Sequence, residues 1–167
     1  MKIVIISDVH DHLPNLKKVL DYCVKEKIKK IICCGDLASQ ESLDFLNDNF
    51  EGEIYYSLGN AEAGKLSEFA DGAMHKKTKM FNNVGEATFD GIKTAFVHYP
   101  DVADELCARG KYDFVFHGHT HKPWEEMVGQ CKKLNPGNVA GIIYPPTFAV
   151  WETEGNKFSL IRIHDLM

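Results

Sequence analysis

The chain has 167 residues, 44% hydrophobic and 26% charged, which predicts one compact domain over residues 1–167 with a core that needs no disulfide or metal staple. A net charge of -5 argues against non-specific attraction to nucleic acid or anionic membranes, because both require a basic face. Five cysteines without C-x-x-C spacing indicate free thiols, and no apolar run approaches a signal-peptide core or a membrane span, so we expect a cytoplasmic protein.

The first part of the chain alternates between apolar strands and helical patterns. Runs rich in isoleucine and tyrosine predict buried strands at residues 2–7, 30–34 and 53–58. Pro14 precedes a helical stripe of apolar residues, and Ser39 is a candidate cap for a second helix. Because ligands gather at the carboxyl ends of strands in such sheets, the polar strand exits are expected to form one rim. These exits hold Asp8, His10, Asp36 and Asn60.

The second part of the chain is richer in strands. Residues 86–89 and 92–97 predict a hairpin with a tight Asp90-Gly91 turn, and its second strand leads into His98. A short helix ending near Gly110 is followed by a strand at 113–116, and that strand leads into His117-Gly118-His119-Thr120-His121. Beyond Pro123 the pattern predicts strands only, and they are expected at 124–128, 132–134, 147–152 and 157–163.

Together the strand exits offer a set of imidazole, carboxylate and amide ligands, without thiolates. The set is Asp8, His10, Asp36, Asn60, His98, His119 and His121. It suits first-row divalent ions rather than a structural zinc; Mn is the expected ion, and Ni, Fe, Co and Zn are the alternatives. Seven ligands for two ions require one shared ligand, and Asp36, midway in the strand order, is the predicted bridge. Two ions about 3.5 to 4 Å apart hold the attacking and leaving oxygens of an in-line displacement and lower the pKa of a bridging water.

Charge counting indicates the substrate class. Two divalent cations with two ligand carboxylates leave the cluster about two units positive, and a bridging hydroxide removes one unit. The remaining charge attracts an anion such as a phosphate ester, although the protein itself is acidic. The neutral Asn60 matters here because an aspartate would cancel that surplus. The expected partner is therefore a small anionic phosphate ester, with no membrane and no stable nucleic-acid complex; a homo-oligomer is left open.

Five blocks of this sequence resemble, in order, those of the calcineurin-like metallophosphoesterases. They are Asp8-Val9-His10, Gly35-Asp36, Gly59-Asn60, His98 and Gly118-His119-Thr120-His121. In length and layout the chain is similar to the small YfcE-type phosphodiesterases. The resemblance implies an α/β fold, a four-layer α/β/β/α sandwich of two mixed sheets flanked by helices. It also implies a metal-dependent phosphoric ester hydrolase with a dinuclear centre.

The family pattern also divides the ligands between the two ions. One ion would take Asp8, His10, Asp36 and His121, and the other Asp36, Asn60, His98 and His119. Asn60 and His98 are in addition the candidate catalytic residues. One position departs from the family: Ala61 stands where a histidine often acts as general acid, or a cysteine in the YfcE-type branch. We therefore predict weak turnover of esters with poor leaving groups and a preference for diesters over monoesters.

Two other functions fit parts of the pattern. A non-catalytic scaffold, like the retromer subunit of this fold, agrees with Ala61 but not with seven intact candidate ligands. A dinuclear amide hydrolase of the metallo-β-lactamase fold usually has an H-x-H-x-D-H block, which this chain lacks. Metal content and hydrolysis of a model diester separate the first alternative from a phosphodiesterase.

Several polar residues near the blocks have less specific roles. Asp11 is expected to cap a helix rather than orient a ligand, and Asn135 to serve a turn rather than brace the histidine loop. For His12, a contact with the site and exposure at the surface are equally expected. His117 is expected to point away from the site. His75 and His164 are predicted to be surface residues.

Overall fold

The computed structural model describes residues 1–63 and 76–166, so the prediction for His75 lies outside the described residues. Its strands are β1 (Lys2–Ile6), β2 (Lys30–Cys33), β3 (Glu53–Ser57), β4 (Thr78–Phe81), β5 (Gly85–Phe89), β6 (Ile92–Phe96), β7 (Phe114–Phe116), β8 (Trp124–Val128), β9 (Cys131–Asn135), β10 (Thr147–Glu152) and β11 (Lys157–Arg162). Its α-helices are α1 (Leu13–Lys25), α2 (Gln40–Asn49) and α3 (Pro100–Ala108). Short 3-10 turns lie at Asn60–Glu62 and Ile163–Asp165.

The strands form two mixed sheets. The first has the order β11-β10-β1-β2-β3-β4, with β1 to β4 parallel and β10 antiparallel to both β1 and β11. The second has the order β5-β6-β7-β9-β8, with a parallel centre and an antiparallel strand at each edge. The carboxyl ends of β1, β2 and β3 are therefore neighbours, as the rim of ligands requires.

The two sheets pack face to face through large apolar side chains. Ile5 and Trp151 of the first sheet contact Phe96 and Phe116 of the second within one buried cluster. Helices α1 and α2 cover the outer face of the first sheet, and α3 covers the outer face of the second. This arrangement of helix, sheet, sheet and helix confirms the predicted four-layer α/β fold.

Local predictions from the sequence hold in several places. The Asp90-Gly91 hairpin turn has positive φ at both residues (50° and 83°), as a tight turn between twisted strands requires. Ser39 caps α2 by accepting the backbone N–H of Ser42. The five cysteines are buried free thiols, as expected. Within residues 1–63 and 76–166, no helix combines the length and apolarity that crossing a bilayer requires.

Two local predictions are wrong. Strand β4 was not expected, because its four residues alternate too briefly to stand out, and it forms by pairing in parallel with β3. Asp11 does not cap α1; the His12 imidazole does so by accepting the Asn15 N–H, and the Asp11 carboxylate instead accepts the hydroxyls of Ser39 and Ser42. Asp11 thus ties the first rim loop to the start of α2.

Candidate metal centre

Three side chains from opposite sheets form one group of nitrogen and oxygen donors, which we call the first half-site: Asp8, His10 and His121. The His121 Nε2 lies 3.3 Å from Asp8 Oδ1 and 3.3 Å from His10 Nε2. The His10 Nε2 lies 3.8 Å from Asp8 Oδ1. Donor atoms at these separations could hold one ion between them. The loop after β1 and the histidine loop after β7 thus meet at one point.

Asn60, His98 and His119 form a second group, which we call the second half-site. The Asn60 Oδ1 lies 2.9 Å from His98 Nε2 and 3.0 Å from His119 Nδ1, and the two nitrogens are 3.2 Å apart. His98 is fully buried, and its Nδ1 lies 2.8 Å from the Cys34 carbonyl oxygen. A carbonyl partner at Nδ1 orients the ring and leaves Nε2 to face the other donors.

Asp36 lies between the two half-sites. Its Oδ2 is 3.4 Å from His98 Nε2 and 3.6 Å from His10 Nε2, while its Oδ1 accepts the Ala61 N–H at 2.9 Å. The Asp36 carboxylate therefore faces a histidine of each half-site. The structure brings all seven predicted side chains into one continuous cluster, in the order expected from β1, β2 and β3.

Most of these residues have an unusual backbone conformation. Five of the seven have positive φ: Asp8 (54°), His10 (43°), Asp36 (58°), His119 (70°) and His121 (59°). The left-handed region is uncommon for residues other than glycine, and such strain concentrates at functional sites. The surrounding hydrogen bonds maintain it here: the Val9 and His10 N–H groups both donate to the Asp36 carbonyl.

Two glycines of the predicted blocks allow the loops to approach each other. A Cβ on Gly59 would lie 2.1 Å from Asp36 Oδ1, and a Cβ on Gly118 would lie 1.8 Å from Ser7 Oγ and 2.8 Å from Asp8 Oδ2. No side chain fits at such distances. The glycines are therefore required because two carboxylates pass directly against the backbone at these points.

The electrostatics of the cluster shift the pKa values of three of its residues, His10, His98 and Asp36. The Asp8 carboxylate raises the pKa of His10, with burial opposing it. Burial opposes the charged form of His98 most strongly, yet the hydrogen bond and charge of Asp36 outweigh it and raise the pKa of His98. Burial likewise works against the Asp36 carboxylate, but His98 holds the pKa of Asp36 below its usual value.

Glu62 has a positioning role that the sequence analysis did not assign. This fully buried carboxylate accepts the backbone N–H groups of Gly59 (2.6 Å), Ala38 (2.7 Å) and Asp36 (3.2 Å). It therefore joins the loop that carries Asp36 to the turn that carries Asn60. The signal in the sequence was a glutamate directly after the Gly59-Asn60-Ala61 block, where a carboxylate has no local reason to be buried.

Other polar residues support the histidine loop. Asn135 donates to the Gly118 carbonyl and to Thr120 Oγ1 while accepting the Gly137 N–H, so it braces the loop as well as the turn, although only the turn was expected. His117 is buried away from solvent, and burial lowers its pKa. His164 lies exposed in the last 3-10 turn, as predicted.

The whole chain has recognisable relatives. The calcineurin-like phosphoesterase superfamily domain matches residues 1–156. The phosphodiesterase MJ0936 of Methanocaldococcus jannaschii is 30% identical over 162 residues, which are 95% of this chain and 96% of that protein. The superfamily match spans all five blocks of the candidate site.

Solved structures with the same fold agree with this assignment. An archaeal phosphodiesterase superposes with a TM-score of 0.87 at 28% identity, covering 97% of this chain and 99% of that one. The E. coli phosphoesterase YfcE (TM-score 0.74, 18% identity, 100% and 96% covered) and a zinc-complexed Vps29 of Entamoeba histolytica (0.64, 18%, 98% and 99%) share the fold. The predictions of the family and of a phosphoric ester hydrolase are thereby confirmed: the chain belongs to the calcineurin-like phosphoesterase superfamily.

Proposed function

We propose that the protein is a metal-dependent phosphodiesterase with a dinuclear centre, in which Asp36 bridges two ions. The observation that carries this proposal is the position of Asp36 Oδ2, which lies 3.4 Å from His98 Nε2 and 3.6 Å from His10 Nε2. A carboxylate oxygen that faces a histidine of each half-site suits a shared ligand, and Asp8 lies close enough to Asp36 and His98 for the two carboxylates to belong to one centre. The name of the M. jannaschii relative, a phosphodiesterase, supports the same reaction class.

The donor atoms fit a pair of divalent cations. Asp8 Oδ1 is buried and accepts no hydrogen bond from the described residues, although it faces the Nε2 atoms of His10 and His121. A buried carboxylate oxygen without a partner is costly, and a cation held with the two imidazoles would satisfy it. The first ion would take Asp8, His10, Asp36 and His121; the second would take Asp36, Asn60, His98 and His119.

The chain's own residues set the charge and orientation at this centre. When bound, two such cations acidify a water and attract the phosphate ester. Asp8 and Asp36 supply the only carboxylates of the proposed ligand set, and the neutral Asn60 leaves a positive surplus for an anionic substrate. Cys34 orients the ring of the candidate catalytic His98 through its carbonyl, while Glu62 fixes the loops beneath Asp36 and Asn60.

The residue at the family's general-acid position gives the leaving group no proton. Ala61 occupies the position of the family's general acid, and alanine cannot donate a proton. General acid catalysis contributes about a hundred- to ten-thousandfold, so esters with acidic alcohols are the better substrates. A diester also brings one negative charge rather than two to a site with a small positive surplus. We therefore propose aryl-type phosphodiesters as better substrates than alkyl phosphomonoesters.

The composition of the chain and of the candidate site supports proposals for the metal ion, the cellular location and the type of substrate. We propose Mn as the ion, because three oxygen ligands accompany four imidazoles and no cysteine belongs to either group of candidate donors in the described part of the chain. We also propose a cytoplasmic protein of one domain over residues 1–167, supported by five free thiols and by a superfamily match to residues 1–156. The net charge of -5 supports a small substrate rather than a nucleic-acid complex.

The proposal is tested by metal analysis and hydrolysis of bis(4-nitrophenyl) phosphate with Mn. We expect about two ions per chain, and Asp36→Ala is expected to lower kcat/KM at least about a thousandfold, since metal catalysis is worth several kcal/mol. Asp48→Ala, at an exposed position of α2, is the matched control and should retain full activity. Faster cleavage of an alkyl phosphomonoester than of this diester would contradict the substrate preference.

The same experiment tests the alternative function, a non-catalytic scaffold of the same fold. Ala61 and the likeness to Vps29 support this alternative. Bound metal without hydrolysis of any diester, and without a difference between the wild type and Asp36→Ala, would favour a protein-binding module. The 30% identity to a named phosphodiesterase supports the enzyme instead.

A further inference from the structure

An exposed apolar turn lies beside the first half-site. Ile142, Ile143 and Tyr144 are 45%, 82% and 37% exposed, which is unusual for three consecutive apolar residues. The Ile142 carbonyl oxygen lies 3.3 Å from Nδ1 of His121, whose Nε2 faces Asp8. The backbone of the turn that carries these apolar side chains therefore contacts a candidate metal ligand.

The conformation of this turn is strained at its most exposed residue. The Tyr144 N–H donates to the Ile142 carbonyl at 2.8 Å, and Ile143 between them has a φ of +69°. Such a three-residue turn with positive φ is rare and strained, and a β-branched residue is among the least suited to it. Neither burial nor backbone preference accounts for isoleucine at this position. Strained residues of this kind concentrate at binding and catalytic sites.

A single buried side chain fixes the turn relative to the histidine loop. Asn138 Oδ1 accepts the N–H groups of Gly141 (2.5 Å) and Ile142 (2.8 Å). Its Nδ2 donates to the carbonyls of His121 (3.1 Å) and Tyr144 (3.3 Å). The apolar surface and the ligand loop are thus held together before any substrate arrives, which reduces the entropy lost on binding.

The opposite end of the centre also has an apolar neighbour. The half-buried ring of Tyr99 packs edge-on against His98 and His119, with ring centroids 5.1 Å apart in each case. Among the described residues, no lysine or arginine forms a hydrogen bond or an ion pair with the side chains of the seven candidate ligands. Nothing in that set provides a charge for a second phosphate.

Resting on the proposed phosphodiesterase function, we propose that the Ile142–Tyr144 turn binds an uncharged apolar or aromatic ester group of the substrate. A phosphodiester has an organic group on each side of phosphorus, and the centre has apolar side chains at each end. The preferred substrate class is therefore a phosphodiester with one phosphate between two uncharged groups, at least one of them large and apolar. Polyphosphates and phosphomonoesters fit this arrangement poorly.

The test compares two diesters that differ only in apolar surface, diphenyl phosphate and dimethyl phosphate, by calorimetric titration of the Mn-loaded protein. Ile143→Asn removes the apolar side chain, and asparagine suits a positive φ, so the fold is preserved. We expect the Kd of diphenyl phosphate to rise about fivefold and that of dimethyl phosphate to change less than about twofold. Leu160→Asn, which replaces an apolar residue 51% exposed on β11, is the matched control and should leave both constants unchanged.

Each result distinguishes this inference from the function on which it rests. An unchanged ratio of the two Kd values in Ile143→Asn, or an equal change in Leu160→Asn, overturns the role of the turn, including the case in which the turn binds a protein partner. Hydrolysis of bis(4-nitrophenyl) phosphate by the wild type would then still support the phosphodiesterase. Absence of hydrolysis by the wild type would overturn both.

Discussion

The two half-sites hold their donors by different physical means. The first contains a fully buried carboxylate, Asp8, with one oxygen that receives no hydrogen bond from the described residues. The second contains the neutral amide of Asn60, whose oxygen already lies within 3.0 Å of two imidazole nitrogens. The first half-site therefore contributes a carboxylate charge that a cation would balance. The second contributes an uncharged amide that is already oriented toward its two imidazole neighbours.

With the proposed pair of cations bound, this difference would explain how an acidic protein attracts an anionic substrate. The carboxylates of the candidate ligand set are Asp8 and Asp36, whereas Asn60 of the second half-site is neutral. The positive surplus is then expected near Asn60 and His98. Three predictions test this comparison, from the largest expected effect to the smallest.

The largest effect is expected from neutralising the first half-site. Asp8→Asn removes the buried charge that faces His10 and His121, so the first ion should be lost while the second half-site keeps its donors. We expect kcat/KM to fall about a thousandfold and the metal content to approach one ion per chain. Mass spectrometry under native conditions and steady-state kinetics measure both quantities.

The exposed Asp21 of α1 provides the control for this variant. Asp21→Asn removes the same charge from the chain but breaks only a surface pair with Lys17, so metal content and rate should stay at the wild-type level. If Asp8→Asn retained two tightly bound ions, the contrast between a charged and a neutral half-site would be wrong.

A smaller effect is expected from the buried carboxylate beneath the second half-site. Glu62→Gln places an NH₂ group against backbone donors of Gly59, Ala38 and Asp36, which leaves buried groups unsatisfied. We expect metal affinity to fall about ten- to a hundredfold, as for other residues that orient ligands. The measurement is a metal titration by calorimetry, with the unfolding temperature recorded for the same samples.

The matched control is Glu41→Gln, at an exposed position of α2. A purely structural role of Glu62 would lower the unfolding temperature of the metal-free protein without changing the affinity of the folded protein for metal. That result would remove Glu62 from the positioning of Asp36 and Asn60.

The smallest effect concerns pH. In the metal-free protein, NMR titration should give His10 and His98 a pKa above the ordinary value of about 6.5 and His117 a pKa below it. Because the pKa values of His10 and His98 are raised in the folded protein, their protonated side chains stabilise the metal-free fold. This stabilisation is fully present at a pH below the ordinary histidine pKa. This contribution is lost as pH rises through the raised values, while His117 has the opposite sign.

Metal binding should show the reverse dependence on pH. Protons compete with cations for the imidazoles of His10 and His98, so metal affinity is expected to weaken as pH falls through their raised pKa values. Asp36, whose pKa is lowered, stays charged throughout this range. An affinity for Mn that did not change across this range would contradict the assignment of both histidines as ligands.

Much of the fold and the identity of the candidate ligands could be predicted from local patterns. Continuous β-branched runs marked β1 and β2, and the Asp90-Gly91 pair marked a hairpin whose turn has the expected positive φ. The polar residues at successive strand ends predicted the members of the cluster, because parallel strands place their carboxyl ends at the same edge of a sheet. Strand β4 could not be predicted in this way because it depends on a long-range pairing with β3.

The sequence by itself determined where most of the strands lie along the chain and the chemical types of donor at their ends. Only the tertiary structure decided the left-handed conformations of Asp8 and Asp36, the burial of Glu62 under three N–H groups, and the strained exposure of Ile143. The physical reason is range: hydrophobic periodicity and turn preference act between near neighbours along the chain. A buried carboxylate or a strained backbone is held by partners from distant segments, and no local pattern records them.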